Sequence, residues 1–288
     1  SIDRNKINRT VYYDTGTPTS GIPGPKNPDF HRTERGKKLF EEWRNLAIEY
    51  NPERAKELLN KIGVKDQNGD GWREKPSGDE LTLRIDINAE VGDRIVDRTD
   101  LVKKMWEDVG LKVIVNTVSG EKMMTMQTNA TFDIRGDREN GGIPMLDLWP
   151  DWFVPIREIT WAPLYGTWYR IQGTENEGTE LDKAPRDRTP PRKEPTEGSP
   201  VDKIQSLYNQ YKSASTQEKR DELWLDIVQI HIDEGPICIG LIANYPRVGV
   251  VSNDMKNVPR KEDLPLGGWV NPWIMSYIGQ LNTSTFYL

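Results

Sequence analysis

Apolar positions along this chain change period several times, and each change marks an element. Over residues 34–50 they fall at Leu39, Trp43, Leu46 and Ala47, the spacing of a helix with one buried stripe. Asn51 followed by Pro52 puts a capping side chain before a residue whose fixed φ suits the first turn. A second helix is therefore predicted, carrying Ala55, Leu58, Leu59 and Ile62 and stopped at Gly63. The period then drops to two. Leu81, Leu83, Ile85 and Ile87 alternate with Thr82, Arg84, Asp86 and Asn88, the pattern of a strand with one buried face. Ile95, Val102, Met105, Trp106 and Val109 return to helical spacing up to Gly110, and Leu111, Val113 and Val115 alternate again. This β-α-β succession, extended by a short helix over 121–128 and a strand over 131–135, predicts an α/β layer with at least partly parallel strands.

Elsewhere the pattern is less regular. Residues 1–8 read as part of a helix, followed by a Gly/Pro-rich loop that ends near Asp29, Phe30 and His31. Residues 173–200 are Glu, Lys, Arg, Thr and Pro with almost no large apolar residue, so an exposed excursion that is mobile and open to proteases is expected there. Helices return over 202–212 and 217–232, the latter with Leu223, Ile227 and Ile230 on one face, and apolar strands are predicted over 236–242 and 247–251. The residues after Val251, with scattered Pro and Trp, read as an irregular tail. The abrupt opening, with no signal peptide, leads to the expectation that the chain is cut from something longer.

Composition narrows the chemistry. The net charge of −6 is spread over interspersed acids and bases, so nothing forms the basic footprint of a nucleic-acid binder, and no apolar run is long enough to span a bilayer. The single Cys238 lies in an apolar run, which predicts a small buried hydrophobe and excludes an internal disulfide. With only His31 and His231, in a loop and on an amphipathic helix, neither a multi-histidine metal site nor a nucleophile elbow is supported, and no phosphate-binding glycine motif occurs. The 45 acidic residues leave one enzymatic alternative open, a secreted carbohydrate-active enzyme with a carboxylate pair. No cofactor is implied. Asp66, Asn68 and Asp70 are spaced like the first half of a calcium loop, but the twelfth position is Ser77 where a bidentate acid belongs, so a Gly/Asp-rich turn is the preferred reading.

The connection after the strand at 131–135 concentrates the candidate ligand contacts. Asp137, Arg138, Glu139 and Asn140 supply hydrogen-bonding groups, and Trp149, Trp152, Trp161 and Trp168 supply flat apolar faces. A loop leaving a strand end of an α/β layer is where ligand crevices form. The tryptophans also have a packing reading, since Trp dominates any core it enters.

Several pieces together resemble the family 5 extracellular solute-binding proteins, the receptors that serve ABC importers. They are the opening run from Ile2 to Asn8, the Ala55-Lys-Glu-Leu-Leu59 helix with Gly63 and its Asp-x-Asn-Gly-Asp-Gly turn, and the helix and strand over 101–115. Phe132-Asp133-Ile134, Trp152-Phe153-Val154-Pro155, the element from Trp161 to Tyr169, the helix over 222–228 and the run over 250–259 continue the match. The resemblance implies a two-lobed (type II-like) periplasmic binding protein of β-α-β units with flanking helices. Residues 1–244 would then form the C-terminal ligand-binding lobe, and 245–288 a return segment toward a missing N-terminal lobe. It further implies a non-enzymatic receptor for a peptide or oligosaccharide, partnered by an ABC transporter permease. The expected location is the periplasm or cell exterior, with surface attachment in the full-length protein. In peptide-binding members an Asp shortly after the Phe-Asp-x strand pairs with the peptide amino terminus. Here that stretch is altered to Asp137-Arg-Glu-Asn140, while the Trp161 element is similar to that of a subgroup linked to oligosaccharide uptake.

Overall fold

Among the described residues, most helices begin on a side chain that closes the first turn. In the computed structural model, which describes residues 1–20, 27–88, 90, 92, 94–137, 146, 147, 149–159, 161–235, 238–243 and 252–258, Asp3 opens α1 (Arg4–Tyr12). Asn27 opens the single turn of α2 (Pro28–His31), and Thr33 opens α3 (Glu34–Arg44). Asn51 opens α4 (Pro52–Lys61), its side-chain oxygen 2.9 Å from the amide of Arg54. Each such oxygen satisfies a helical N–H that has no partner within its own helix.

Three parallel strands form the sheet, in the order β3-β2-β4: β2 (Thr82–Ile87) lies between β3 (Lys112–Thr117) and β4 (Ile134–Gly136). The crossovers are α5 (Ile95–Glu107) and α6 (Gly120–Thr128). Ile85, Ile87 and Val113 pack with Ile95 on one face. The other face is polar: the fully buried Asp86 carboxylate accepts from Arg84 Nε at 2.9 Å and from Asn116 Nδ2 at 2.8 Å. Ile7, Val11 and Tyr12 of α1 pack on Val102 and Met105 of α5.

A larger core lies among α2, α3, α8 (Pro200–Ser213) and α9 (Gln217–Glu234). Trp224 is at its centre, edge-on to Phe30 at 5.3 Å and to Phe153 at 4.6 Å. His231 stacks on Trp43 at 5.2 Å and bonds the Phe153 carbonyl through Nε2 at 2.7 Å. Cys238 is half-buried against this core, and desolvation pushes its thiol up to about 11. The short antiparallel pair β1 (Thr17–Pro18) and β5 (Ile242–Ala243) joins the chain's opening to its later part.

Several expectations need correction. The helix predicted over 34–50 stops at Arg44: Asn45 turns its side-chain amide back onto the Glu41 carbonyl at 2.7 Å, and Ala47 takes a left-handed φ of 52°. The predicted strand at 131–135 enters the ladder only at Ile134. Of the strand predicted over 236–242, Ile242 alone among the described residues stands in a paired strand, although the Gly240 amide donates to the Ser20 carbonyl at 3.4 Å and the Leu241 carbonyl accepts from the Thr19 amide at 3.1 Å; the one over 247–251 lies outside the described residues. The apolar stripe of α4 has no buried residue, and Leu58 and Ile62 are exposed.

Residues 173–200 also differ from a structureless excursion. Most are exposed or half-buried, yet Arg192 is 0% exposed at the centre of a set of turns. Its Nη2 donates to the Thr179 carbonyl at 2.6 Å and the Thr179 hydroxyl at 2.7 Å, and its Nη1 to the Pro190 carbonyl at 2.9 Å. Composition misses this arrangement because main-chain oxygens, not apolar side chains, surround the buried group. Arg192→Ala should therefore expose Lys183, Arg186 and Arg188 to trypsin while the wild-type chain is spared there. Equal cleavage of both, followed by mass spectrometry, would show that the cage does not hold the segment.

A second expectation concerns acid. Burial pushes His231 down to about 4 from 6.5, against the opposing effect of the Phe153 carbonyl. The unfolded chain thus binds a proton between these values that the folded chain refuses, so this contribution to stability is present above pH 6.5 and lost as pH falls toward 4. The difference corresponds to about 3 kcal/mol. Urea midpoints measured at pH 7 and pH 4.5 should fall less for His231→Gln than for wild type.

Candidate functional site

The three parallel strands end together at Ile87, Thr117 and Gly136, and the carboxyl edge of such a sheet is where an open α/β fold leaves a crevice. Gly136 is needed for that edge to close: a Cβ there would lie 2.7 Å from Ile87 Cγ2. The next residue, Asp137, is the first beyond the ladder. Its Oδ2 pairs with Arg135 Nη2, and its main-chain carbonyl accepts from Arg98 Nη2 on α5. Arg135 also donates through Nη1 to the Ile159 carbonyl at 2.7 Å, and Gln127 Nε2 on α6 reaches the same oxygen. Strand β4, α6 and the segment before Trp161 therefore meet at one point.

Arg138, Glu139 and Asn140 lie outside the described residues. The far end of their connection is described, and it reaches the larger core. The Leu146 amide donates to Asp29 Oδ2 on α2 at 3.2 Å, and the Tyr211 hydroxyl donates to Asp147 Oδ1 at 2.9 Å. Desolvation raises the pKa of Asp29 against the lowering effect of Arg32, and desolvation with the neighbouring Asp147 raises that of Tyr211.

The four tryptophans divide. Trp152 and Trp161 pack against the larger core, Trp161 edge-on to His231 at 5.6 Å with its indole N–H buried and unbonded. Trp149 is half-buried beside the short 3-10 turn Pro150–Trp152, and Trp168 is half-buried on α7 (Pro163–Ile171). Gly166 lets α7 press against the 157 backbone, since a Cβ there would meet the Arg157 carbonyl oxygen at 2.1 Å. A tyrosine cluster, with Tyr211 buried and Tyr169 and Tyr208 half-buried, escaped the sequence reading. Tyr169 lies 6.4 Å from Tyr208, Tyr208 stacks on Tyr211 at 6.3 Å, and Lys212 Nζ is 5.2 Å from the first two rings. The three-residue spacing of Tyr208 and Tyr211 on α8 was the available signal.

Asp66, Asp70 and Glu74 bring carboxylate oxygens within 4.8 Å of one another. Those oxygens serve the loop itself: Asp66 accepts from the amides of Gly69 and Gly71, Asp70 from that of Trp72, and the buried Glu74 from Gln67 and Asn68. Ser77, at the twelfth position, bonds Asp79. The arrangement is a self-closed turn.

A family model, that of the bacterial extracellular solute-binding proteins, family 5 (middle part), matches residues 1–155. The chain belongs to this family. No curated protein matches it in sequence. Among solved structures, the family 5 chain is similar to an oligopeptide-binding protein, OppA, with a TM-score of 0.66 and 23% identity over 84% of this chain and 35% of that one. It is also similar to a periplasmic oligopeptide-binding protein of Thermotoga maritima with mannohexaose bound, with a TM-score of 0.56 and 17% identity over 85% of this chain and 39% of that one. AppA of Bacillus subtilis, in complex with a nonapeptide, gives 0.56 and 15% over 90% and 42%. The chain thus spans less than half the length of these structures. At such identities they establish the fold, a mixed α/β unit of family 5 binding proteins. Family and fold are those of binding proteins rather than enzymes, and family members are periplasmic or extracellular.

Proposed function

We propose that this chain is the ligand-binding lobe of a receptor that captures a peptide or oligosaccharide reversibly and presents it to an ABC transporter permease. Residues 1–244 form the lobe and 245–288 return toward a second lobe, in a protein attached to the cell surface. The crevice lies beyond the carboxyl edge of the parallel sheet, with Asp137, Arg138, Glu139, Asn140 and Trp149 as contacts. The observation that carries this reading is the connection between Asp137 and Leu146, which starts at that edge and is bonded at both ends by side chains of the surrounding helices. Membership of family 5 and the fold shared with mannohexaose- and nonapeptide-bound proteins support it.

Electrostatics favours a neutral ligand within this class. A peptide amino terminus requires a carboxylate with charge to spare, and the Asp137 carboxylate is already paired with Arg135. Sugar hydroxyls and an indole face make no such demand.

Calorimetry on the full natural chain with mannohexaose and with a nonapeptide tests the proposal. Saturable binding with the ligand recovered intact supports the receptor, and release of hydrolysis products overturns it. Alanine at Glu139, Asn140 or Trp149 should weaken binding by about 1–3 kcal/mol, the penalty for an unpaired buried group or a lost aromatic contact, with circular dichroism unchanged. Wild-type affinity in all three folded variants would place the site elsewhere.

A further inference from the structure

Arg98 is not among the proposed ligand contacts, and its surroundings give it a different part. It projects from α5, the helix that crosses between β2 and β3, and only 8% of it is exposed. Nη1 donates to the Tyr12 hydroxyl on α1 at 3.2 Å, and Nη2 donates to the main-chain carbonyl of Asp137. A planar guanidinium with fixed donors suits this work, since each N–H can meet an acceptor on a different element. The Asp137 acceptor belongs to the backbone, so the contact does not depend on which side chain stands at 137. Arg135 acts differently, because it pairs with the Asp137 side chain.

We propose that Arg98 is a positioning residue for ligand binding: it fixes the direction in which the chain leaves β4, and hence the placement of Asp137 at the crevice. The proposal rests on the carboxyl edge of the sheet being the ligand site. Three features separate this role from general support of the fold. Helix α5 is already held by Ile95, Val102 and Met105, which lie in the two neighbouring apolar clusters and owe nothing to the guanidinium. The contact to Asp137 falls one residue past Gly136, where the ladder bonds of β4 have ended. The opposite end of the same connection is bonded to Asp29 and Tyr211 on helices of the larger core. Losing this bond frees the main chain of Asp137, and the order that residue must then recover on binding is a cost that appears in affinity rather than in the stability of the sheet.

Hydrogen exchange and calorimetry on the full natural chain test this with Arg98→Ala, Arg98→Lys and Tyr12→Phe. Arg98→Ala should speed exchange at least tenfold in peptides spanning β4 and Asp137, leave those covering β2 and β3 within twofold, and lower the affinity for whichever of mannohexaose or the nonapeptide binds by tenfold or more. Arg98→Lys, which keeps the charge but not the fork, should recover only part of that loss. Tyr12→Phe, which removes the hydroxyl acceptor and leaves the Asp137 contact in place, should bind within twofold of wild type. A uniform rise of exchange through α5 and the sheet overturns the proposal, as does unchanged affinity in Arg98→Ala or a Tyr12→Phe loss equal to that of Arg98→Ala. Where wild type binds neither probe, the reading of the ligand class fails, and the exchange pattern alone decides whether Arg98 positions the connection.

Discussion

The central position of β2 is the constraint on which the remaining architecture depends. Strand β2 pairs in parallel with β3 on one side and β4 on the other, so all three strands end at one edge. Parallel pairing requires crossovers, and α5 and α6 supply them. The two faces of β2 then do different work. Ile85 and Ile87 bury apolar area against α5, while Asp86 is buried among polar groups of its own and the adjoining strand. A carboxylate so placed is tolerated only because both of its oxygens are bonded, by Arg84 and Asn116. Since Asp86 stands opposite Asn116 and Arg135 in the register, the same polar face carries Arg135 toward the sheet's edge, where it meets Asp137.

A second body of apolar side chains is organised differently. Around Trp224 the contacts are between aromatic rings from four parts of the chain, and Phe153 brings the segment after the candidate loop into that group. The connection from 137 to 147 therefore begins in one apolar body and ends in the other. Its ends are held by polar bonds, Arg98 and Arg135 at the first and Asp29 and Tyr211 at the second. At the second end Leu146 is itself buried in the larger core, so apolar burial and polar bonds hold that end together.

Legibility from sequence divides along the same line. Period and caps locate the β-α-β unit, α4 and α9, because Leu83, Ile85 and Ile87 alternate and Asn51 stands before Pro52 regardless of what surrounds them. The end of α3 is not legible, since Leu46 and Ala47 continue the helical spacing while Asn45 and the left-handed Ala47 end it. Arg192 reads as one more solvated charge, because no local pattern announces that carbonyls from residues 179 and 190 will surround it. At the candidate site, the position of Asp137 directly after a strand is legible. Arg98 is not: it sits on a helix whose apolar residues explain the helix, and Tyr12 and Asp137, to which it donates, are 86 and 39 residues away.

The packing of Trp152 and Trp161 bears on what recognition can use. Both are half-buried with part of the ring against the larger core, and Trp161 is turned edge-on to His231. Stacking capacity must come from rings with an open face. Trp149 and Trp168 are half-buried, and so are Tyr169 and Tyr208, whose rings share Lys212. The charged groups narrow the choice in the same direction. With Asp137 compensated by Arg135, and Arg98 adding a second guanidinium at the same residue, the start of the connection is no longer anionic. Among the described residues, Asp137 thus meets two guanidinium groups, one on its carboxylate and one on its carbonyl, and hydrogen-bonding partners of either sign can use such a mixture of donors and acceptors.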